Sequence, residues 1–217
     1  MFLDLNITKI AIMKNIWIKS IMTNMLRSIR LTLVLGFILI IGYVVVLWAF
    51  AKVAGPNGGK PELVYSTTAT TGNHPHIVGV KNVGQQFVNN RYFWGRPSCA
   101  GKGYDASASA GSNKGPTNAE YLKEVSERSK LFLKAHPYLH QSDIPAEMVT
   151  ASGSGLDPDI TPQSAYIQVR RIAASRGLSE QYVKSIVDKS IQKPLLGIFG
   201  PAKVNVLKLN MLLDKSI

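Results

Sequence analysis

LTLVLGFILIIGYVVVLWAF, from Leu31 to Phe50, decides the architecture of this chain. The run is 20 residues long and uncharged, and 14 of them are Leu, Ile, Val or Phe. At about 1.5 Å of rise per residue it reaches roughly 30 Å, the thickness of a bilayer's hydrocarbon core. Those apolar residues favour insertion by about 4–8 kcal/mol in total. Arg27 and Arg30 bound the run on one side and Lys52 on the other, and Trp48 sits where an amphipathic ring favours the interface. A buried core helix seldom runs this far without a polar face. A cleaved signal is the closer rival, because Ala49-Phe50-Ala51 has a small-x-small form. Its apolar core would normally be only about 7–15 residues. The reading is a retained single-span anchor.

The flanking charge orients it. Lys9, Lys14, Lys19, Arg27 and Arg30 precede the span against Asp4, whereas Lys52 and Lys60 follow it with Glu62. Basic residues stay in the cytoplasm, so residues 1–30 are expected inside and the remainder outside. The whole chain carries +12, of which +8 lies beyond the span. That excess suits an anionic lipid surface or an acidic partner protein, and no nucleic-acid reading motif accompanies it. The single cysteine, Cys99, makes no internal disulfide, so the outer domain must rely on its packing.

Four segments follow: a basic segment over 1–30, the transmembrane helix over 31–50, a linker over 51–75, and an α+β domain over 76–217. In the first, Ile10, Met13, Trp17, Ile21 and Met25 recur at helical spacing among lysines, as in a basic amphipathic helix. Met13-Lys14-Asn15 would equally serve as an alternative start to Met1. Gly55 to Gly59 and Thr70 to Asn73 are turn chemistry, and the linker is short enough to hold the domain near the bilayer. Ile77-Val78 and Phe87-Val88 offer short buried pieces. Tyr92-Phe93-Trp94 cannot all face one core, so at least one ring is expected at a surface or contact.

A helix is expected over 117–135. Thr117-x-x-Glu120 reads as its capping box, and Leu122, Val125 and Phe132 make its stripe. A second helix starts at Thr161-Pro162, carries Ala165, Val169 and Ile172 inward, and stops at Gly177. A third covers 180–191. Leu195 to Phe199 reads as a buried strand, Lys203 to Val206 as its return, and Leu207 to Leu213 as a closing helix. Runs of helix and strand without βαβ alternation indicate an α+β domain.

The candidate sites are sparse. Ser152-Gly153-Ser154-Gly155 before a helix could cradle an anion with its backbone N–H groups, but it fits neither Gly-rich nucleotide fingerprint and reads better as a tight loop. Asp157-Pro158-Asp159 needs no cation, because a helix N-terminus follows it. His74-Pro75-His76 and His136-Pro137 carry proline, which spoils the spacing of a helical zinc pair, and no metal site is assigned. Ser154 lacks the context of a hydrolase nucleophile. Gln168 borders the buried face of the second helix, where its amide could bond a loop or a partner.

Several blocks together resemble a known family. They are Tyr92-Phe93-Trp94-Gly95-Arg96-Pro97-Ser98, Gly111-Ser112-Asn113 with Gly115 to Asn118, and Val149 to Pro158 with Gln168, Arg171 and Ala173. Leu196 to Gly200 and Val204 to Asn210 complete the set. In this order, over roughly residues 30–214, the chain resembles the C subunit of the Kdp potassium-transporting P-type ATPases. The resemblance implies a non-catalytic accessory subunit of an ATP-driven potassium uptake complex in a bacterial or archaeal cell membrane. Its partners would be a P-type ATPase subunit, a channel-like potassium subunit and a small hydrophobic subunit. The family is also described as a catalytic chaperone that raises the ATPase subunit's affinity for ATP. On that view Gln168, Ser152, Gly153, Ser154 and Gly155 are the nucleotide candidates, with ATP met through the complex and no cofactor held stably. The topology resists direct contact, since ATP is cytoplasmic. It favours instead an interface through Trp94, Arg96, Pro97, Leu156, Asp157 and Arg171. A membrane-tethered outer enzyme and an envelope-binding module are the alternatives.

Overall fold

The computed structural model describes residues 2–66 and 75–215, with side chains from Met13 onward. The turn expected at Thr70 to Asn73, His74 and the side chain of Ile10 lie outside the described residues. The chain divides into two units, the first ending at Lys60 and the second beginning at Pro61.

The first unit is helical. Helix α1 (Phe2–Phe37) passes through one wide turn at Ile38–Gly42 into α2 (Tyr43–Ala54). Phe37, Gly42 and Tyr43 all keep right-handed helical dihedrals, so the backbone stays helical through the turn. The expected basic helix and the apolar span are therefore one rod. Among the described residues one helix, Met13–Ala54, is long and apolar enough to cross a membrane. The rod ends where Gly55 turns extended, and Pro56–Gly59 forms a short tight turn.

The second unit is α+β, as expected. Strands β1 (Leu63–Ser66) and β2 (His76–Val80) pair antiparallel, so the folded unit already includes part of the stretch read as linker. Helix α3 (Ala119–Ala135) is capped by Asn118, whose side chain accepts from the Tyr121 N–H. The cap thus falls one residue later than the Thr117 box predicts. Leu122 is half exposed, while Ser129 and Phe132 face inward. The second expected helix is two: α4 (Pro162–Tyr166), capped by Thr161, and α5 (Val169–Arg176), stopped by Gly177 at φ 68°. Helix α6 (Glu180–Ser190) starts at Ser179, and α7 (Val206–Asp214) starts at Asn205.

A small antiparallel sheet links these helices, in the order β3 (Asp159–Ile160), β5 (Lys203–Asn205), β4 (Ile191–Gln192). Its inner face and the helices enclose Phe93, Phe132, Ile172, Val183, Val187, Val204, Leu209 and Leu213, all buried. Two expectations about burial fail. Ile77 and Val88 are exposed, and so is the whole Leu195–Phe199 run, which makes a turn and not a buried strand. An apolar run of this length has no periodicity to say which environment it meets.

Candidate functional site

The residues nominated from sequence converge on one irregular stretch, 89–98. It carries no regular secondary structure, yet Phe93 is fully buried. Buried backbone groups must find partners, and here side chains supply them. The Asn210 side chain accepts from the Phe93 N–H at 2.8 Å and donates to its carbonyl at 3.0 Å. Gln168 does the same for the next residue, accepting from the Trp94 N–H at 2.8 Å and donating to its carbonyl at 3.2 Å. Two buried amides, one from α7 and one from the α4–α5 break, thus stand in for the neighbouring strands of a sheet.

Gln168 has no capacity left over. Its amide nitrogen also donates to the Ser164 carbonyl at 3.0 Å, and its oxygen also accepts from Arg171 Nη2 at 2.8 Å. A primary amide has two donors and two acceptor sites, and all four are in use. The helix break at Ile167–Gln168 follows from this job, since the side chain must point along the 93–94 backbone.

Helix α5 continues the rack. Arg171 donates Nη1 to the Asn90 carbonyl, Nη2 to the Tyr92 carbonyl and Nε to His136 Nε2, at 2.5, 3.0 and 2.8 Å. Its guanidinium also stacks over Trp94, 4.3 Å from the ring centroid. One turn on, Ser175 donates to Asn90, and Arg176 donates to the Arg91 carbonyl and pairs with Asp214 at 2.7 Å. Arg171 is buried, and its hydrogen-bond partners are carbonyls, an amide and an imidazole, with no carboxylate among them. Burial accordingly lowers its pKa to about 10.

His136, which follows the last residue of α3, belongs to the same cluster. It is buried, stacked on Phe132 with centroids 4.0 Å apart, and edge-on to Trp94. Its Nδ1 lies 2.8 Å from the Phe132 carbonyl, and its Nε2 accepts from Arg171. This pair of partners assigns the neutral Nδ1–H tautomer. Burial, chiefly, pushes its pKa down to about 4, with the Arg171 charge adding to the effect. The unfolded chain then binds a proton near 6.5 that the fold refuses until about pH 4. Stability is fully present above pH 6.5 and falls as pH drops towards 4. A thermal melt series should show this slope, and His136→Asn should flatten it.

The 152–158 loop lies behind the same stretch. Arg96 pairs with Asp157 at 3.0 Å, and the Ser152 N–H donates to the Pro97 carbonyl at 3.3 Å. Ser98 Oγ donates to the Gly155 carbonyl at 2.6 Å. Gly155 is left-handed at φ +69°, and a Cβ there would stand 2.6 Å from the Ala100 nitrogen and 2.7 Å from the Ala110 oxygen. Glycine is therefore required for close packing at this point. Gly153 and Ser154 are exposed, and the Ser154 carbonyl accepts from Ser109. The N–H groups of Ser152, Gly155 and Leu156 are all bonded within the domain. The Leu156 carbonyl accepts from Gly84 at 2.8 Å. Tyr104 closes this side, donating to the Arg96 carbonyl, and burial raises its pKa to about 12.

In front of the stretch opens a groove of about 590 Å³. Phe87, Trp94, Phe132 and Met148 give it an apolar floor, and its basic lining residues are Lys102, Arg96, which is paired with Asp157, and Arg128, which is paired with Glu124 at 3.1 Å. No lining residue is acidic. Val88 and Leu131, 72 % and 67 % exposed, stand at its rim. Of the nominated residues, Trp94, Arg96 and Pro97 line this groove. Gln168, Arg171, Ser152, Gly155, Leu156 and Asp157 lie in the structure behind or beside it. Asn210, His136 and Val88 are each present in the sequence reading, but their roles as backbone clamp, arginine acceptor and exposed rim depend on contacts with residues far away in the chain.

The chain thus combines a helix long and apolar enough to cross a membrane with an α+β domain that carries a largely apolar groove. The family profile described as "KdpC: K+-transporting ATPase, c chain" matches residues 25–215. The "Potassium-transporting ATPase KdpC subunit" of Phocaeicola vulgatus is 60 % identical over 195 residues, covering 90 % of this chain and 100 % of that one. The protein of the same name from Bacteroides thetaiotaomicron is 57 % identical with the same coverage. That of Flavobacterium johnsoniae is 47 % identical over 194 residues, covering 89 % of this chain and 99 % of the relative. This chain belongs to the KdpC family.

Proposed function

We propose that this chain is a non-catalytic assembly subunit of a potassium-transporting ATPase complex. Its groove beside Trp94 docks on a membrane-embedded partner of the channel-like or ATPase type. The groove carries the reading. Half-buried Phe87 and Trp94, the exposed rim residues Val88 and Leu131 and the exposed cation of Lys102 are what an interface needs from one side, with an apolar anchor and a carboxylate supplied by the other. The clamped 93–98 backbone makes that surface rigid before the partner arrives, which lowers the entropic cost of docking. The basic residues before the span favour a domain outside the cytoplasm, and on this reading ATP stays with the ATPase subunit. The chain then influences ATP use through assembly and not by holding nucleotide. Full use of Gln168 and of three loop amides inside the domain supports this.

The test is co-purification in mild detergent. Val88→Glu with Leu131→Glu alters two exposed side chains and should leave the domain's melting temperature unchanged. The account expects recovery of the partner chains to fall by at least about tenfold, as loss of roughly 1.4 kcal/mol or more of interface energy requires. Wild-type recovery of partners with both charges present would refute the groove as the docking surface.

A further inference from the structure

The most exposed apolar feature of the domain lies elsewhere, between β4 and β5. Leu195, Leu196, Ile198 and Phe199 are 70 %, 81 %, 76 % and 60 % exposed, four large apolar side chains within five residues. The turn is built to keep them out. Leu196 adopts φ +53°, a left-handed conformation that a branched residue seldom takes. Leu195 and Phe199 exchange two backbone hydrogen bonds, at 3.0 and 2.9 Å. The Gly197 and Ile198 N–H groups donate to Pro194 and Leu195. Pro194 and Pro201 bracket the turn, and the β4–β5 ladder fixes its base.

We propose that this turn is a lipid-inserting tip that seats the domain on an anionic membrane surface. Three features fit that occupant. Four of the tip's backbone donors, those of Leu195, Gly197, Ile198 and Phe199, are satisfied internally, which lowers the cost of entry into a water-poor interface. The collar is basic: Lys189, Lys193 and Lys203 flank the tip, and no acidic residue occurs from 189 to 203. Lys203 also pairs with Asp159 at the base. An apolar tip with a lysine collar is the pattern of shallow interfacial binding, about 5–10 Å deep, strengthened by anionic headgroups. Leu-Leu-Gly-Ile-Phe-Gly also carries no polar side chain with which to specify a protein recess, whereas a bilayer asks for none. A candidate span in the same chain keeps a bilayer permanently at hand.

The test uses the full chain with Cys99→Ser, reconstituted alone into vesicles. Ile198→Cys, or Lys123→Cys on the exposed face of α3, carries a fluorescent label. Vesicles are phosphatidylcholine, with or without phosphatidylglycerol. Brominated acyl chains should quench the label at 198 and not at 123. Aqueous iodide should quench 198 at least about fivefold less than 123, with the gap widening when phosphatidylglycerol is present. Lys189→Gln with Lys193→Gln should remove that widening. Equal iodide access at 198 and 123 overturns the proposal. So does a label that, in the assembled complex, is shielded from iodide and brominated lipid alike, since a protein recess then covers it. Because the vesicles contain no partner, the result is independent of whether the groove docks.

Discussion

Gln168→Ala should destabilise the domain by about 3–5 kcal/mol, because it orphans the Trp94 N–H, the Trp94 carbonyl and the Ser164 carbonyl together. An orphaned buried group costs about 1–3 kcal/mol, and no water-sized replacement reproduces a planar amide that meets two groups of one residue. The measurement is a thermal melt of the purified subunit beside an ATP titration of the complex's hydrolysis. A lower melting temperature with unchanged ATP half-saturation, scored per assembled complex, is the expected pair of results. An unchanged melt with weakened ATP half-saturation would make Gln168 a nucleotide contact. Gln168→Glu discriminates further. It preserves size and the acceptor towards Arg171, but loses the donors to Trp94 and Ser164, so it should rescue only part of the loss.

Arg171→Met should cost about 2–4 kcal/mol, seen as a drop of roughly 5–15 °C in melting temperature for a domain of this size. Methionine keeps the apolar stem over Trp94, so the loss isolates the guanidinium. The Tyr92 carbonyl is orphaned and His136 Nε2 loses its donor, whereas Ser175 still serves Asn90. Removal of a buried charge offsets part of this cost, which is why the figure stays below that for a broken buried ion pair. Arg171→Lys should behave nearly as badly, since one ammonium cannot reach four acceptors arranged around a planar fork. Full stability of the lysine variant would show that charge, not the fork, matters. Gln168 and Arg171 share a hydrogen bond, so their double variant should lose less than the two single losses combined.

The parts of this fold legible in sequence are those held by local periodicity. The span is legible because its apolar run exceeds any core helix of that composition. Helix α6 is legible because Val183, Ile186 and Val187 repeat at helical spacing. The Ile167–Gln168 break is not legible, since helical propensity runs through it and the cause is a hydrogen bond to a residue 74 positions away. The Leu195–Phe199 run misleads for the opposite reason. Its composition suits a buried strand, and only the left-handed Leu196 and the flanking prolines turn it outward. For the site, the Trp94–Ser98 block and the residues behind it are identifiable as a set. That Gln168 and Arg171 face inwards on Trp94, while Val88 and Leu131 face out beside it, depends on long-range packing that no spacing encodes.

The proposed assembly role requires the folded domain to lie outside the cytoplasm. In a Cys99→Ser background, Lys130→Cys places one thiol on the exposed face of α3. Intact cells, with any outer membrane permeabilised, are treated with a membrane-impermeant maleimide before lysis. The account predicts that the cysteine is labelled from outside, and that inverted vesicles protect it. Labelling in inverted vesicles with protection in intact cells would place the domain beside cytoplasmic ATP and contradict the account.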